Sequence, residues 1–190
     1  MKNTDNITQK FSFFKAPVKN TSPYKTITLT DVFKYITGEY CKPQTLMLRS
    51  INDKNQNQKY KALEFPYATF SGVFEARKES KLIQHSGLIA IDFDHIEELE
   101  ETKLQLLKDP YFETELLFVS PNGNGLKWVI AIDVQNYSHE EYFNAILNYF
   151  KSTYPKEISD AIDIKCKDVA RATFLCYDPT AFIHPKHLLK

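Results

Sequence analysis

The stretch LIAIDFDH, residues 88–95, joins an apolar run to two aspartates that stand one residue apart, Asp92 and Asp94. Alternate side chains of a β-strand leave the same face, so both carboxylates are expected on one side of a sheet. Two like charges held this close favour a bound cation, and hard oxygen ligands select Mg²⁺ or Mn²⁺. The stretch therefore predicts a strand that carries a catalytic metal site. The simpler alternative is a solvated strand end, with Asp94 as the N-cap of a following helix.

Composition indicates one well-cored domain over residues 1–190. The chain is 43% hydrophobic and 14% aromatic, and 24 Lys and Arg balance 24 Asp and Glu. Because the bulk charge is zero, binding to nucleic acid has to come from a local patch. Cys41, Cys166 and Cys176 are odd in number and have no Cys-x-x-Cys spacing, so we expect ordinary thiols. No apolar run approaches the roughly 20 residues of a membrane span, and residues 1–10 lack a secretory signal, so we expect a cytoplasmic protein without a membrane partner.

Hydrophobic periodicity predicts a β-α-β-β-α-β order in the second half of the chain. The expected strands are 88–93, 115–120, 126–133 and 172–177, and the expected helices are 95–108 and 138–152. Ser138 and Glu141 form a capping box at the start of the second helix. This order is typical of an α+β fold with an RRM-like or ferredoxin-like sheet of strand order 4-1-3-2. In that sheet the end of the first strand, the start of the third and the segment before the fourth converge.

The rest of the chain is expected to support this catalytic core, which we place at residues 76–180. Residues 1–75 are an N-terminal α/β extension, and residues 181–190 are a tail. Within the extension, residues 1–26 read as a polar arm whose Phe11, Phe13 and Phe14 pack as an edge strand. The pattern then predicts a helix at 30–40, a strand at 45–50 and a loop at 52–60.

The stretch SPNGNGLK, residues 120–127, joins two of the predicted strands. Its small residues let backbone N–H groups approach an anion closely. We therefore predict a phosphate cradle at Ser120, Asn122, Gly123 and Gly125, followed by the cation of Lys127. The stretch lacks the spacing of a Walker A loop, and a plain hairpin turn is the alternative.

A third carboxylate is expected in the segment that enters the last strand. We prefer Asp163, eight residues before Arg171, over Asp160 and Asp168. The planar guanidinium of Arg171 suits a bidentate phosphate contact, although Arg171 and Lys127 could each be a plain surface charge. Metal ions that bridge carboxylates and a triphosphate stabilise in-line displacement, so the set predicts nucleotidyl transfer.

Four stretches together resemble a known family: FSGVF at 70–74, HSGLIAIDFDH at 85–95, SPNGNGLK at 120–127 and DVARATFLCYDP at 168–179. They are similar to the VirE N-terminal-like primase-polymerase domains of bacterial mobile elements, within the archaeo-eukaryotic primase superfamily. The resemblance implies a DNA primase or polymerase that acts in replication of a mobile element. One departure is Lys127, which stands where the superfamily has a histidine.

The resemblance also implies roles and partners. Asp92, Asp94 and Asp163 would be catalytic ligands of Mg²⁺ or Mn²⁺, and Ser120, Lys127 and Arg171 would contact the incoming nucleotide. The implied partners are a nucleoside triphosphate, single-stranded DNA and a helicase or other replication protein. Two alternatives remain open: an inactive module that binds single-stranded nucleic acid or a partner protein, and a metal-dependent nuclease.

Overall fold

The protein has a mixed α+β fold in the computed structural model, which describes residues 9–189. Residues 1–8 lie outside the described residues. The expectation that residues 1–10 lack a secretory signal falls mostly on them. The described part contains two four-stranded antiparallel sheets, a two-stranded antiparallel sheet and six α-helices. This agrees with the α+β class that the sequence predicts.

The elements of the first half are β1 (Phe11–Phe14), β2 (Lys25–Ile27), α1 (Leu29–Thr37), α2 (Lys42–Ser50), α3 (Lys54–Glu64), β3 (Tyr67–Thr69), β4 (Gly72–Phe74) and β5 (Leu82–His85). The elements of the second half are β6 (Leu88–Phe93), α4 (Leu99–Leu107), β7 (Thr114–Val119), β8 (Leu126–Ala131), α5 (His139–Thr153), α6 (Lys156–Asp160), β9 (Thr173–Phe174) and β10 (Phe182–Ile183). Short 3₁₀ turns lie at Glu39–Cys41, Glu79–Lys81, Ile164–Lys167 and Pro185–His187.

The larger sheet, in the order β10-β7-β8-β6, separates two hydrophobic cores. Successive side chains of β6 point to opposite faces, as the strand period requires. Ile89, Ile91 and Phe93 join the core that includes residues of α5. Leu88 packs into the other core, which reaches the second sheet, β2-β1-β3-β9. Asp92 shares the face of Leu88, so its carboxylate lies on the side of the sheet where the N-terminal half of the chain packs.

The predicted strand order 4-1-3-2 places the last predicted strand beside the first, and this pairing is wrong. β6 pairs with β8 on one side only, and β9 pairs with β3 in the other sheet. The free edge of β6 is used instead by a short segment, because Phe93 bridges Ile162 and the Asp163 amide donates to the Asp92 carbonyl. β10 fills the outer edge of the sheet by pairing with β7.

Two local predictions in the N-terminal half are also wrong, since residues 45–50 lie in α2 and residues 54–60 lie in α3. Pro43 lies in the first turn of α2, where the missing N–H and fixed φ of proline favour a helix start. The Asp53 carboxylate caps α3 by accepting from the Gln56 amide. α3 buries no residue fully and so has no apolar stripe that the sequence could reveal.

The predictions made from capping signals fare better. α5 begins directly after Ser138, whose hydroxyl and Glu141 form the predicted capping box. The helix predicted at 95–108 begins only at Leu99, with Glu98 as its N-cap. The alternative in which Asp94 caps this helix is therefore wrong.

The two ends of the described chain are structured. Phe11–Phe14 is a strand, but it lies between β2 and β3 and is not an edge. The segment that we expected to be a tail supplies β10, and beyond it Lys186 and His187 pair with Glu115. The expectation of a tail was therefore wrong for residues 182–187.

None of the helices within residues 9–189 has the length and apolar composition needed to cross a membrane.

Candidate active site

Asp92 and Lys127 form a buried ion pair at the centre of the candidate site. They are directly paired residues of β6 and β8, and Asp92 Oδ2 lies 2.6 Å from Lys127 Nζ. Asp92 is 2% exposed and Lys127 is 7% exposed. Two charges removed from water in this way are tolerated because each compensates the other.

The second oxygen of the Asp92 carboxylate has no hydrogen-bond partner. Asp92 Oδ1 is buried and unpaired, and a buried carboxylate oxygen is normally satisfied. Asp92, Asp163 and Cys166 each place a potential ligand atom within 4.8 Å of the others. The unpaired oxygen therefore lies in a place where a cation could be bound.

Asp163 reaches this place because residues 161–163 run along the free edge of β6. Its Oδ1 accepts from the Lys165 amide, and its Oδ2 lies 2.5 Å from Arg171 Nη2. The same guanidinium nitrogen is 3.9 Å from Asp92 Oδ2. Arg171 thus lies between two carboxylates, and its buried Nε has no partner.

Asp94 is exposed at the end of β6, beyond the ion pair. Its amide donates to the Ala161 carbonyl, and the next residue, His95, has a left-handed backbone with φ 60°. A non-glycine residue in that region is uncommon and costs free energy. The Ile96 amide donates to the Asn124 carbonyl, which holds this turn against the loop of residues 120–125.

That loop packs tightly against the end of β6. A Cβ atom on Gly125 would lie 2.2 Å from the Phe93 carbonyl oxygen, so only glycine permits this approach. Gly123 has φ +84° and lies against the Arg49 guanidinium. Arg49 donates to the carbonyl oxygens of Ser120 and Pro121, at 3.3 Å and 3.1 Å. The sequence predictions missed Arg49, because nothing in α2 links it to a loop more than 70 residues away.

The structure thus brings four of the residues singled out from the sequence into contact and places the others near them or apart from them. Asp92, Asp163, Lys127 and Arg171 are in contact, and Asp94 lies at the end of the same strand. Asp160 is exposed at the end of α6, and Asp168 is exposed and caps the Ala170 amide. Ser120 is buried, Asn122 is exposed, and the loop that contains them adjoins the pair through Lys127.

Lys61 and Cys166 are neighbours of the site that the sequence predictions did not include. Burial lowers the pKa of Lys61, and repulsion by Lys127 lowers it further, against the attraction of Asp94 and Asp92. Lys61 belongs to a run in which basic and aromatic residues alternate. That run is compatible with a solvated helix face, so only the fold reveals its position.

The pKa values of Lys127 and Cys166 bear on which groups of the site could bind a metal ion. Burial would lower the pKa of Lys127, but the attraction and hydrogen bond of Asp92 outweigh burial and raise it. Burial also raises the pKa of the Cys166 thiol, and the Asp92 charge raises it further. Because a hard cation prefers oxygen and a thiol must lose its proton to bind, the carboxylates fit Mg²⁺ or Mn²⁺ and Cys166 does not. Cys166 instead accepts a hydrogen bond from the Asp92 amide.

Comparison with known families places this site in context. The model of the family described as BT4734-like, N-terminal domain matches residues 59–182, well over half of the chain. The chain belongs to this family. The matched range of the BT4734-like N-terminal domain includes the charged residues of the site, from Lys61 to Arg171. No match was found among curated proteins or among solved structures.

The family assignment corrects an expectation drawn from the sequence. We expected membership of the primase-polymerase superfamily, with VirE N-terminal-like domains as the nearest group. That expectation was wrong, because the BT4734-like N-terminal domain is a different family and its match carries no evidence of a primase. A function for the domain therefore has to be argued from its own residues.

Proposed function

We propose that this BT4734-like N-terminal domain binds a nucleoside triphosphate together with Mg²⁺ or Mn²⁺ and catalyses nucleotidyl transfer. The observation that carries the proposal is the unpaired, buried Oδ1 of Asp92, a residue whose carboxylate clusters with that of Asp163. A buried carboxylate oxygen left without a partner costs free energy that a bound cation would recover. Asp92 and Asp163 would hold the cation, and Asp94 at the strand end could complete its oxygen ligands.

The balance of charge supports phosphate as the second ligand. Three acids, Asp92, Asp94 and Asp163, stand near three cations, Lys61, Lys127 and Arg171. When a divalent cation takes the carboxylates, Lys127 and Arg171 lose their partners and become available to an anion. A triphosphate supplies that anion, and the planar fork of a guanidinium group can donate to two phosphate oxygens at once.

Each group of the site would then have its own role in the reaction. A bound divalent cation supplies Lewis acidity at the reacting phosphoryl group. Lys127 and Arg171 would neutralise the charge that develops on the triphosphate oxygens. The loop of residues 120–125, held by Arg49, would position the phosphates through its backbone. The β6-α4-β7-β8-α5 order is the part of an RRM-like core that we propose as the scaffold.

Calorimetric titration of a nucleoside triphosphate, with Mn²⁺ present or absent, tests the proposal. We expect metal-dependent binding by the wild type and its loss in Asp92→Asn and in Asp163→Asn. Asp160→Asn is the matched control, since it removes a nearby carboxylate that is exposed. Circular dichroism checks folding, and Asp163, which is less buried than Asp92, provides a second variant if Asp92→Asn unfolds. Binding without metal dependence, or binding retained in both variants, would contradict the proposal.

Incubation with labelled single-stranded DNA distinguishes the reactions that this site could support. Primer extension with Mn²⁺ and nucleotides is expected for nucleotidyl transfer, whereas shortening of the strand would indicate a nuclease that uses the same carboxylates. The assay also tests single-stranded DNA as a partner. Addition of a replicative helicase would test a role in replication of a mobile element, through a rise in extended product.

A second candidate function is binding of single-stranded nucleic acid without chemistry. The specific observation in its favour is that Asp92 and Asp163 already pair closely with Lys127 and Arg171. Such pairs neutralise the carboxylates without a metal. Salt-sensitive anisotropy changes with single-stranded DNA, unaffected by Mn²⁺ and by Asp163→Asn, would favour this function.

A further inference from the structure

Lys61 is the part-buried lysine of α3, next to Tyr60, which packs against the hydrophobic core. α3 buries none of its residues fully, and Lys59, two positions earlier, is exposed. Lys61 is half-buried, with Nζ 5.9 Å from the centre of the Phe174 ring in β9. The last turn of α3 therefore directs one ammonium group inward, toward the side of the sheet that carries Asp92.

The surroundings of Lys61 do not explain why a cation is held there. Four charged groups act on it: Lys127 and Arg171 repel it, and Asp92 and Asp94 attract it. Asp92 is already paired with Lys127, and within residues 9–189 Lys61 forms no ion pair of its own. An ammonium group that loses water beside two other cations raises the free energy of the folded state unless an anion binds there.

We propose that Lys61 is a binding residue for the phosphates of the ligand, supplied by α3 to the face of the larger sheet that carries Asp92 and Lys127. Three cations from three separate segments then surround one polyanion. The identity of that polyanion as a nucleotide rests on the proposed function, but the contact itself requires only a chain of phosphates. The binding of linked phosphates, which a nucleotide shares with simpler polyphosphates, is therefore tested with inorganic tripolyphosphate.

Calorimetric titration of tripolyphosphate into the full chain, with the same concentration of Mn²⁺ in both solutions so that the carboxylates are occupied, is the direct test. We expect the wild type to bind and Lys61→Met to bind about tenfold more weakly or worse, as for loss of a charge-assisted hydrogen bond. Lys61→Arg should restore most of the affinity. Lys59→Met is the matched control on the exposed side of the same helix, and its affinity should stay within about twofold of wild type.

A second readout separates phosphate binding from a structural role. In a spectrum that resolves lysine side-chain amines, tripolyphosphate should raise the pKa of Lys61 and leave that of Lys59 unchanged. A lysine that only packs against Phe174 would not respond in this way. Equal affinity of Lys61→Met and wild type, or no binding by the wild type, would overturn the proposal.

The two proposals can fail independently. Metal-dependent nucleotide binding that Lys61→Met leaves intact would reject the role of Lys61 and keep the proposed function. Tripolyphosphate binding that depends on Lys61, in a protein that neither binds nucleotide with Mn²⁺ nor extends a primer, would reject nucleotidyl transfer and keep the phosphate contact.

Discussion

The Asp92 carboxylate and the Lys127 ammonium face each other from directly paired positions of neighbouring strands, with Oδ2 and Nζ 2.6 Å apart. Both side chains are buried, so neither charge can turn to water when the other is removed. The pair therefore serves two ends. It joins β6 and β8 through a neutralised pair of side chains, and it holds a carboxylate and an ammonium at one point of the sheet.

Removal of either partner should destabilise the fold strongly. Lys127→Met leaves the Asp92 carboxylate without its ammonium, and loss of one partner of a buried pair costs about 3–5 kcal/mol. Asp92→Leu should cost a similar amount, because it leaves a buried ammonium. Urea unfolding followed by circular dichroism measures both changes.

The double variant Asp92→Leu with Lys127→Met provides the control for this pair. Because it removes both charges together, its free energy of unfolding should lie closer to wild type than the sum of the single changes predicts. Additive effects of the two substitutions would show that the two charges do not compensate each other.

Gly125→Ala should displace the loop of residues 120–125 from the end of β6. The new Cβ would lie 2.2 Å from the Phe93 carbonyl oxygen, which is backbone and cannot move aside cheaply. We expect a loss of about 1–3 kcal/mol, as for overpacking, and changed amide shifts at Asp94 and Ile96 in an NMR spectrum. Gly87→Ala is a suitable control, because its φ of +76° is strained but its nearest contact is 3.5 Å. The prediction fails if the Asp94 shift changes no more in Gly125→Ala than in Gly87→Ala.

The parts of this fold that the sequence predicts well are those with local causes. The strand at 88–93 follows from its apolar run, and the start of α5 follows from the Ser138 capping box. The position of Asp163 beside Asp92 also agrees with the preferred third acid, although the reason differs. The segment before the last strand reaches Asp92 by running along the edge of β6, not by entering a neighbouring strand.

Other parts depend on contacts that no local pattern records. The apolar residues of α3 are Tyr60, Ala62 and Leu63, all in its second half, so the helix lacks the repeating periodicity from which helices are inferred. β9 contains only two residues, and its choice of β3 as partner is a tertiary contact more than 100 residues distant in sequence. Lys61 and Arg49 reach the site through that same N-terminal packing. For this reason the sequence singles out Lys127 and Arg171, which lie in the second half of the chain, but not the cations that the N-terminal half supplies.

The C-terminal segment should contribute to stability through Glu115. This glutamate is 1% exposed, and its two oxygens pair with Lys186 and His187. A chain that ends at Ile183 would leave a buried carboxylate without either partner, and we expect a loss of about 3–5 kcal/mol. Thermal unfolding measures this loss. Glu115→Gln in the shortened chain should recover part of it, whereas a chain that ends at Leu188 should resemble wild type.

A pair of histidines should make the stability of the fold depend on pH. The Gly87 amide donates to His85 Nδ1 at 3.0 Å, so the neutral ring of His85 carries its proton on Nε2. That Nε2 lies 3.2 Å from His139 Nδ1, and His139 Nε2 lies 3.3 Å from the Cys166 carbonyl oxygen. In this chain of three hydrogen bonds each N–H group therefore donates in the same direction, from Gly87 toward Cys166. An added proton on either ring would place two N–H groups face to face.

The sign of the pH effect follows from the pKa of His85. Burial lowers it to about 4, with a further contribution from the charge of His139, whereas the unfolded chain titrates near 6.5. Between these values the unfolded chain binds more protons, so stability is full above pH 6.5 and is lost as the pH falls toward 4. The loss should be about 1–3 kcal/mol, since part of the ring is solvated. Urea unfolding between pH 7 and pH 4.5 measures it. His85→Gln should flatten the slope across this window and the exposed His95→Gln should not, so an unchanged slope in His85→Gln would exclude His85 as its source.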